Sequence, residues 1–449
     1  MRRVPVFFLV LLSFSCGLFR TKVQPYPTGL VFPLVEAAQV PFEGKLVGAL
    51  VKGEDGRLYF STDGGHLYCL DGAARQLSWH RVNPSPFGCP PLLGRDRIFV
   101  WDRENNVFCF DLNGNPVWKT KVSDKISSRV SRDGERIYLG VEAGDLLALS
   151  QATGETLWRF QTKGAVAAAA VFYKDSIVLG SGDGSVYLLS PQGNRRLSID
   201  LGSPITVAPL VDEGRLYVGT EDFGFHCYDL VTMKRKWKIR AGGKILVSPS
   251  ADQKRVYLQA SNNVLYALDK KGGEILWWWI APSRNSFELG FDGQQILTTF
   301  RSPQLFFLDG KSGKVVGEYT AQSEVRSNAV WVDPNLVFST FDSSADRGII
   351  FFLRREIKAV ISASPSSPQP VGTEINFTAT ATGFHLPKFE FYLRQGEAKT
   401  IVQEFGENAT WVWFPEKEGM YTVGVRVKDE KEEAEGETSF EVAKKEEKK

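Results

Sequence analysis

A five-residue phrase returns at near-constant spacing along most of this 449-residue chain, and that period restricts the fold more than any other feature. Leu67-Tyr68-Cys69-Leu70-Asp71 recurs as Val107-Phe108-Cys109-Phe110-Asp111 and as Leu146-Leu147-Ala148-Leu149-Ser150. It continues as Val186-Tyr187-Leu188-Leu189-Ser190, Phe225-His226-Cys227-Tyr228-Asp229 and Leu265-Tyr266-Ala267-Leu268-Asp269. Leu305-Phe306-Phe307-Leu308-Asp309 follows, and Ile350-Phe351-Phe352-Leu353 closes the set. Successive copies end 39 or 40 residues apart, with about 45 to the last, which makes eight copies.

Each copy obeys one grammar. An apolar strand ends near an Asp-Gly or Glu-Gly pair, such as Asp133-Gly134 or Glu213-Gly214. These pairs favour the left-handed turn that joins antiparallel strands without splaying them. A second strand, a Gly-containing turn and the anchor phrase follow. Seven or eight residues further on, a fourth strand carries a bulky residue: Trp79, Trp118, Trp158, Leu197, Trp237, Trp277 and Val316. Four short strands cannot bury both of their faces alone. Stacked radially they can, and closing the ring protects the strand edges. The eighth copy has only three strands, so the sequence predicts that Leu34 to Val40 supplies its fourth. The expectation is an all-β chain whose residues 34–356 form an eight-bladed β-propeller, with Trp79, Trp118, Trp158, Trp237 and Trp277 as structural blade positions.

The N-terminus reads as an address. Arg2 and Arg3 precede an eleven-residue apolar stretch, Val4 to Phe14. That is too short to span about 30 Å of hydrocarbon as a helix, so it reads as a secretory signal. Leu12-Ser13-Phe14-Ser15-Cys16 resembles a bacterial lipobox, although Leu12 stands four places before the Cys rather than three. The resemblance implies a signal peptide at 1–15, lipidation of Cys16, and a linker at 16–33 holding the protein on a membrane. Cys69, Cys89, Cys109 and Cys227 show neither CxxC spacing nor flanking His, and they read as small buried hydrophobes.

The phrases Gly-Asp-Leu-Leu-Ala-Leu-Ser-Gln-Ala-Thr-Gly-Glu-Thr-Leu-Trp (144–158) and Val-Leu-Tyr-Ala-Leu-Asp-Lys-Lys-Gly-Gly-Glu-Ile-Leu-Trp (264–277) resemble the repeat of pyrroloquinoline-quinone-type propellers. Such blades occur in quinoprotein dehydrogenases and in the propeller lipoprotein of the bacterial outer-membrane barrel-assembly machinery. The dehydrogenases carry long loop insertions, a pair of adjacent cysteines, a calcium site and a catalytic Asp. Here the blades are minimal and no two cysteines adjoin, so the chain reads as a non-enzyme with no cofactor.

After Arg355 the period stops. Ser362 to Pro370 is turn chemistry, and Ile375 to Ala381 then alternates as a half-buried strand does. Phe389/Phe391/Leu393, Trp411/Trp413 and Tyr421/Val423/Val425/Val427 alternate likewise. About seven strands are expected over 357–443, an immunoglobulin-like sandwich with Tyr421 at a tyrosine corner. This stretch also resembles the immunoglobulin- and polycystic-kidney-disease-like repeats of bacterial envelope proteins. Residues 444–449 are a charged tail.

Chemical motifs are scarce. His66, His80, His226 and His385 show no metal-ligand spacing. Gly180-Ser181-Gly182-Asp183-Gly184 precedes a strand rather than a phosphate-binding helix, and Gly310-Lys311-Ser312 reads as a blade turn. Asp342 to Gly348 is an oxygen-rich loop, and Trp278 falls on the outward side of Trp277-Trp278-Trp279, where packing against a neighbouring loop is expected ahead of exposure at a rim. With 54 Lys and Arg against 52 Asp and Glu, the net charge is +2, and no basic stripe of the kind that marks a nucleic-acid binder is read. The sequence reading is a non-catalytic envelope lipoprotein that offers a rigid ring to protein partners, with outer-membrane barrel assembly as the role the resemblance implies. The competing reading is a surface-exposed adhesive or sensory protein.

Overall fold

The computed structural model describes residues 33–283, 287–291, 294–384, 386–430 and 432–444. Cys16, the signal peptide, His385 and most of the charged tail lie outside them. No helix of the described residues is long and apolar enough to cross a membrane.

The described chain is built from strands, and the repeat maps onto eight antiparallel sheets. Blade 1 pairs Val51–Lys52, Leu58–Ser61, His66–Asp71 and Gln76–Val82 in that order, from the innermost strand to the outermost. Blades 2 to 7 repeat this up-and-down order, ending with Gln295–Thr299, Gln304–Asp309 and Val315–Thr320 in blade 7. Third strands such as Asp145–Ser150 are buried along both faces, because each sheet is covered by a neighbour on either side. Outermost strands such as Thr156–Gln161 alternate exposed with half-buried residues, as the rim requires.

The eighth sheet is closed from the far end of the chain. Leu34–Glu43 pairs antiparallel with Arg347–Arg355, with Leu34 opposite Arg355 and Glu43 opposite Arg347. The closing strand therefore runs three residues beyond the expected Val40, and the extra length seats Phe42. Its ring lies against Phe60 at 4.8 Å and Tyr68 at 5.8 Å, and over Gly348, where a Cβ would come within 2.0 Å of Phe42 Cζ. Blades 8 and 1 meet through Leu50 N–H to Asn328 Oδ1 at 3.0 Å and Lys52 Nζ to the Trp331 carbonyl at 2.9 Å.

Two local expectations fail for identifiable reasons. Glu213 and Gly214 both take positive φ, as a left-handed hairpin turn demands, but Asp133-Gly134 does not. There the Asp133 carboxylate accepts the N–H groups of Glu135 and Arg136, both at 2.8 Å, and sets the turn from its side chain. In blade 7, Gly317, not Val316, stands opposite the anchor residue Phe307, because the turn after Asp309 keeps the eight-residue spacing of blade 6, where Trp277 follows Asp269, rather than the seven of blade 2, where Trp118 follows Asp111. Val316 is exposed.

Beyond Arg355 the chain forms a second unit of two sheets. Lys358–Ser364, Ile375–Thr382 and Thr410–Trp413 make one. Gln369–Pro370, Glu433–Ala443, Gly419–Lys428, Lys388–Gln395 and Ala398–Gly406 make the other. One core that includes Ile361, Phe377, Phe391, Val425 and Phe440 lies between them. Tyr421 donates its hydroxyl to the Lys417 carbonyl at 2.9 Å, a tyrosine-corner contact.

The hub and blade junctions as candidate functional site

The blade tryptophans sit at the junctions. Each indole N–H donates to a backbone carbonyl 33 residues later, in the turn between the third and fourth strands of the next blade. Trp79 reaches Leu112 at 3.1 Å, Trp118 reaches Gln151 at 2.9 Å and Trp158 reaches Pro191 at 3.1 Å. Trp237 reaches Lys270 at 3.2 Å and Trp277 reaches Gly310 at 3.0 Å. Each ring also lies flat on a left-handed glycine of that turn: Gly114, Gly154, Gly193, Gly273 and Gly313. At Gly193 an added Cβ would stand 2.6 Å from the Trp158 ring.

The two other junctions with such a turn break both halves of the rule together. Blade 4 carries Leu197, opposite Leu188, and the closing strand carries Ala38, opposite Phe352, where the other junctions carry Trp; in the matching turns of blades 5 and 1, Met233 and Arg75 take positive φ without being glycine. Where no indole must lie flat, a side chain is tolerated.

The cysteines complete the layer beneath. Cys69, Cys109 and Cys227 stand directly opposite Trp79, Trp118 and Trp237. All four described cysteines are buried and unpaired with one another. Burial pushes the Cys89 and Cys109 thiols up to about 12 and Cys227 to about 11, so they remain protonated.

At the centre, residues of all eight blades line one cavity of about 1090 Å³. Its wall is mostly small or aliphatic, as at Ala167 to Ala170 and Val207 to Pro209. Two residues before the innermost strand's first pairing position, the blades contribute Ala49, Pro90, Arg129, Ala169, Ala208, Ser248, Glu288 and Asn328. The only charges in that tier are Arg129 and Glu288. They belong to blades 3 and 7, which face one another in a ring of eight, and they pair at 2.9 Å. The ion pair therefore crosses the hub. Nothing in the sequence singled out either residue, since they lie 159 positions apart and outside any motif.

Outward of the cavity, side-chain hydrogen bonds tie down three of the turns. In blades 1, 3 and 6 an Asp, an Arg and a Tyr cluster at the turn after the innermost strand. Asp133 accepts from Arg136 at 3.0 Å and from the Tyr138 hydroxyl at 2.5 Å, and Asp252 accepts from Arg255 at 2.8 Å and from Tyr257 at 2.7 Å. Burial pushes both carboxyls up, but the hydrogen bonds from tyrosine, backbone and guanidinium outweigh it and hold them below the ordinary range.

The described histidines form no metal-binding set. His66, Tyr68 and His80 stack on blade 1, while His226 is buried on blade 5 with Nε2 3.4 Å from Thr220 Oγ1. Among the described residues no three His, Cys, Asp or Glu groups are placed to hold a metal ion. Asp342 instead accepts the Ser344 N–H at 2.9 Å and its hydroxyl at 2.6 Å, which shapes the oxygen-rich loop.

Eight four-stranded blades, interlocked by indole on glycine and closed by an N-terminal strand, define a β-propeller of the pyrroloquinoline-quinone-repeat class. The family profile described as "Outer membrane protein assembly factor BamB" matches residues 75–208 and 199–375, and the chain belongs to that family. Outer membrane protein assembly factor BamB of Burkholderia pseudomallei (strain K96243) is 31% identical over 144 residues, covering 31% of this chain and 37% of that protein. The protein of the same name from Nitrosomonas eutropha is 23% identical over 155 residues, covering 33% of this chain and 38% of that protein. The matched region thus spans under two-fifths of either curated relative. Among solved structures, BamB from Moraxella catarrhalis superposes with a TM-score of 0.62 at 13% identity, over 72% of this chain and all of that one. Quinohemoprotein alcohol dehydrogenase from Comamonas testosteroni gives a TM-score of 0.60 at 13% identity, over 72% of this chain and 76% of that one. Both likenesses are of fold.

Proposed function

We propose that this chain is a non-catalytic scaffold of the bacterial cell envelope, tethered through lipidated Cys16, whose propeller engages protein partners in outer-membrane β-barrel assembly. The observation that carries the reading is the family match, which runs from the outermost strand of blade 1 through blade 8. Two features support it. The blades keep the minimum period, so their faces are broad sets of short turns on a stiff frame, which suits pre-organised protein binding. The hub is bridged by an ion pair between opposite blades rather than walled by inserted loops.

Affinity capture of the full chain from envelope extract tests the proposal. Recovery of barrel-assembly subunits is the expected result, and recovery of matrix or host ligands in their place overturns it. Incorporation of labelled palmitate that disappears in Cys16→Ala tests the tether.

One observation favours the adhesive or sensory alternative. Most of the two-sheet unit, read as an immunoglobulin-like domain, lies beyond residue 375, where the family match ends. Protease shaving of intact cells separates the two readings: protection accords with a periplasmic scaffold, cleavage with a surface protein.

A further inference from the structure

The outermost strands of the blades share one geometry, so they can be compared position by position. Taking the residues one and three places after the junction residue, blade 2 has Lys119 and Lys121, blade 3 has Arg159 and Gln161, and blade 4 has Ser198 and Asp200. Blade 7 has Glu318 and Thr320. Blade 6 alone is apolar at both: Trp278 is 59% exposed and Ile280 60%. Ile275 and Leu276 on the same strand are exposed as well, so this edge presents four large apolar side chains to solvent. Soluble rims do not ordinarily expose such a run.

The adjoining strand of blade 5 is its electrostatic complement. Lys234, Arg235, Lys236, Lys238 and Arg240 fall within seven residues, and all five are exposed. Asp229 offsets Lys236 at 3.2 Å and Asp222 lies 3.9 Å from Lys238, while Arg240 stacks over Phe223 at 5.6 Å. Lys238 and Arg240 occupy the same two positions that Trp278 and Ile280 occupy one blade on. The near-neutral net charge conceals this basic run, which the sequence reading overlooked.

We propose that the rim of blades 5 and 6 is a contact surface for an anionic phospholipid layer. The chemistry favours lipid over a folded partner. An indole among aliphatic side chains, flanked by cations on long stems, matches the headgroup boundary, where Trp settles and Lys and Arg reach for phosphates. The patch lies on the outer edge of a ring, a convex surface that a fluid layer can follow without a complementary groove. The cations hold the rim against the charged surface, and Trp278 and Ile280 enter the boundary between headgroup and acyl chain.

The test uses the mature chain from residue 16 carrying Cys16→Ser, so that neither the apolar signal stretch nor a lipid anchor contributes, and vesicles of phosphatidylcholine with or without phosphatidylglycerol. Co-sedimentation is expected only with phosphatidylglycerol. Trp278→Ser/Ile280→Ser and Lys236→Gln/Lys238→Gln should each weaken it by about tenfold. Lys119→Gln/Lys121→Gln, which removes the same charge from blade 2, should leave it unchanged. All these side chains are exposed, so melting temperatures should match the parent. Quenching of tryptophan fluorescence by brominated lipid should fall sharply in Trp278→Phe, a reading independent of affinity. Absence of vesicle binding, binding indifferent to the blade 6 changes, or equal loss in the blade 2 control would overturn the proposal.

Discussion

The tryptophan slot was readable from the sequence as bulk at a fixed phase, but its role was not. The acceptor carbonyl and the supporting glycine belong to the next repeat, and a side chain's partner across a junction leaves no local signature. Once seen, the pairing explains why Trp237 and Trp277 are nearly buried although they lie on rim strands. Trp277→Ala should cost about 3–5 kcal/mol, as loss of a buried large aromatic does. Gly193→Ala should also destabilise, because the new Cβ meets the Trp158 ring and the residue keeps its left-handed φ of 83°. Urea midpoints of the two variants check this, and a near-parental midpoint for both would refute the interlock.

His226 gives a second test at the same scale. Burial, helped by the charge of Lys238, lowers its imidazole to about 4 from an ordinary 6.5. Between those values the unfolded chain binds a proton that the folded chain refuses, so stability should fall as the pH drops from 6.5 towards 4. The loss is on the order of 3 kcal/mol at about 1.4 kcal/mol per unit. His226→Gln should flatten that slope in chemical unfolding measured across the window.

Among elements, strand order was legible because the period is long, regular and interrupted by glycine. Register was less so. The junction residue of blade 7 is Gly317 rather than Val316, since the turn before the fourth strand spaces it seven or eight residues from the anchor in different blades and only the pairing tells which applies. The closing strand was located but under-measured at its Phe42 end. Because Phe42 fills the space above Gly348 and packs on Phe60 and Tyr68, Phe42→Ala should cost about 3–5 kcal/mol. If the strand merely covers the edge, Phe42→Ala would instead leave the calorimetric transition near its parental temperature.

For the molecule as a whole, the repeat period agrees with the succession of four-stranded sheets, while nothing in it pointed to the hub. Arg129 and Glu288 became partners only when the circle brought opposite blades together. Their side chains are 45% and 50% exposed, so Arg129→Ala should change stability by only about 0.2–1 kcal/mol despite the pair's central position. Its effect should appear instead in access: a hub-directed probe, such as a maleimide offered to Ala169→Cys, should react faster without the bridge.

The latch in blade 8 also orders events in time. Leu34–Glu43 emerges early from any machine that makes or exports this chain, yet its partner, Arg347–Arg355, arrives only after seven other blades. Until then the circle stays an open arc with an unsatisfied seam at each end, vulnerable to proteases and to other chains with bare edges. The last blade must be made before the molecule is sealed, and a chain that stalls midway has no means of closing.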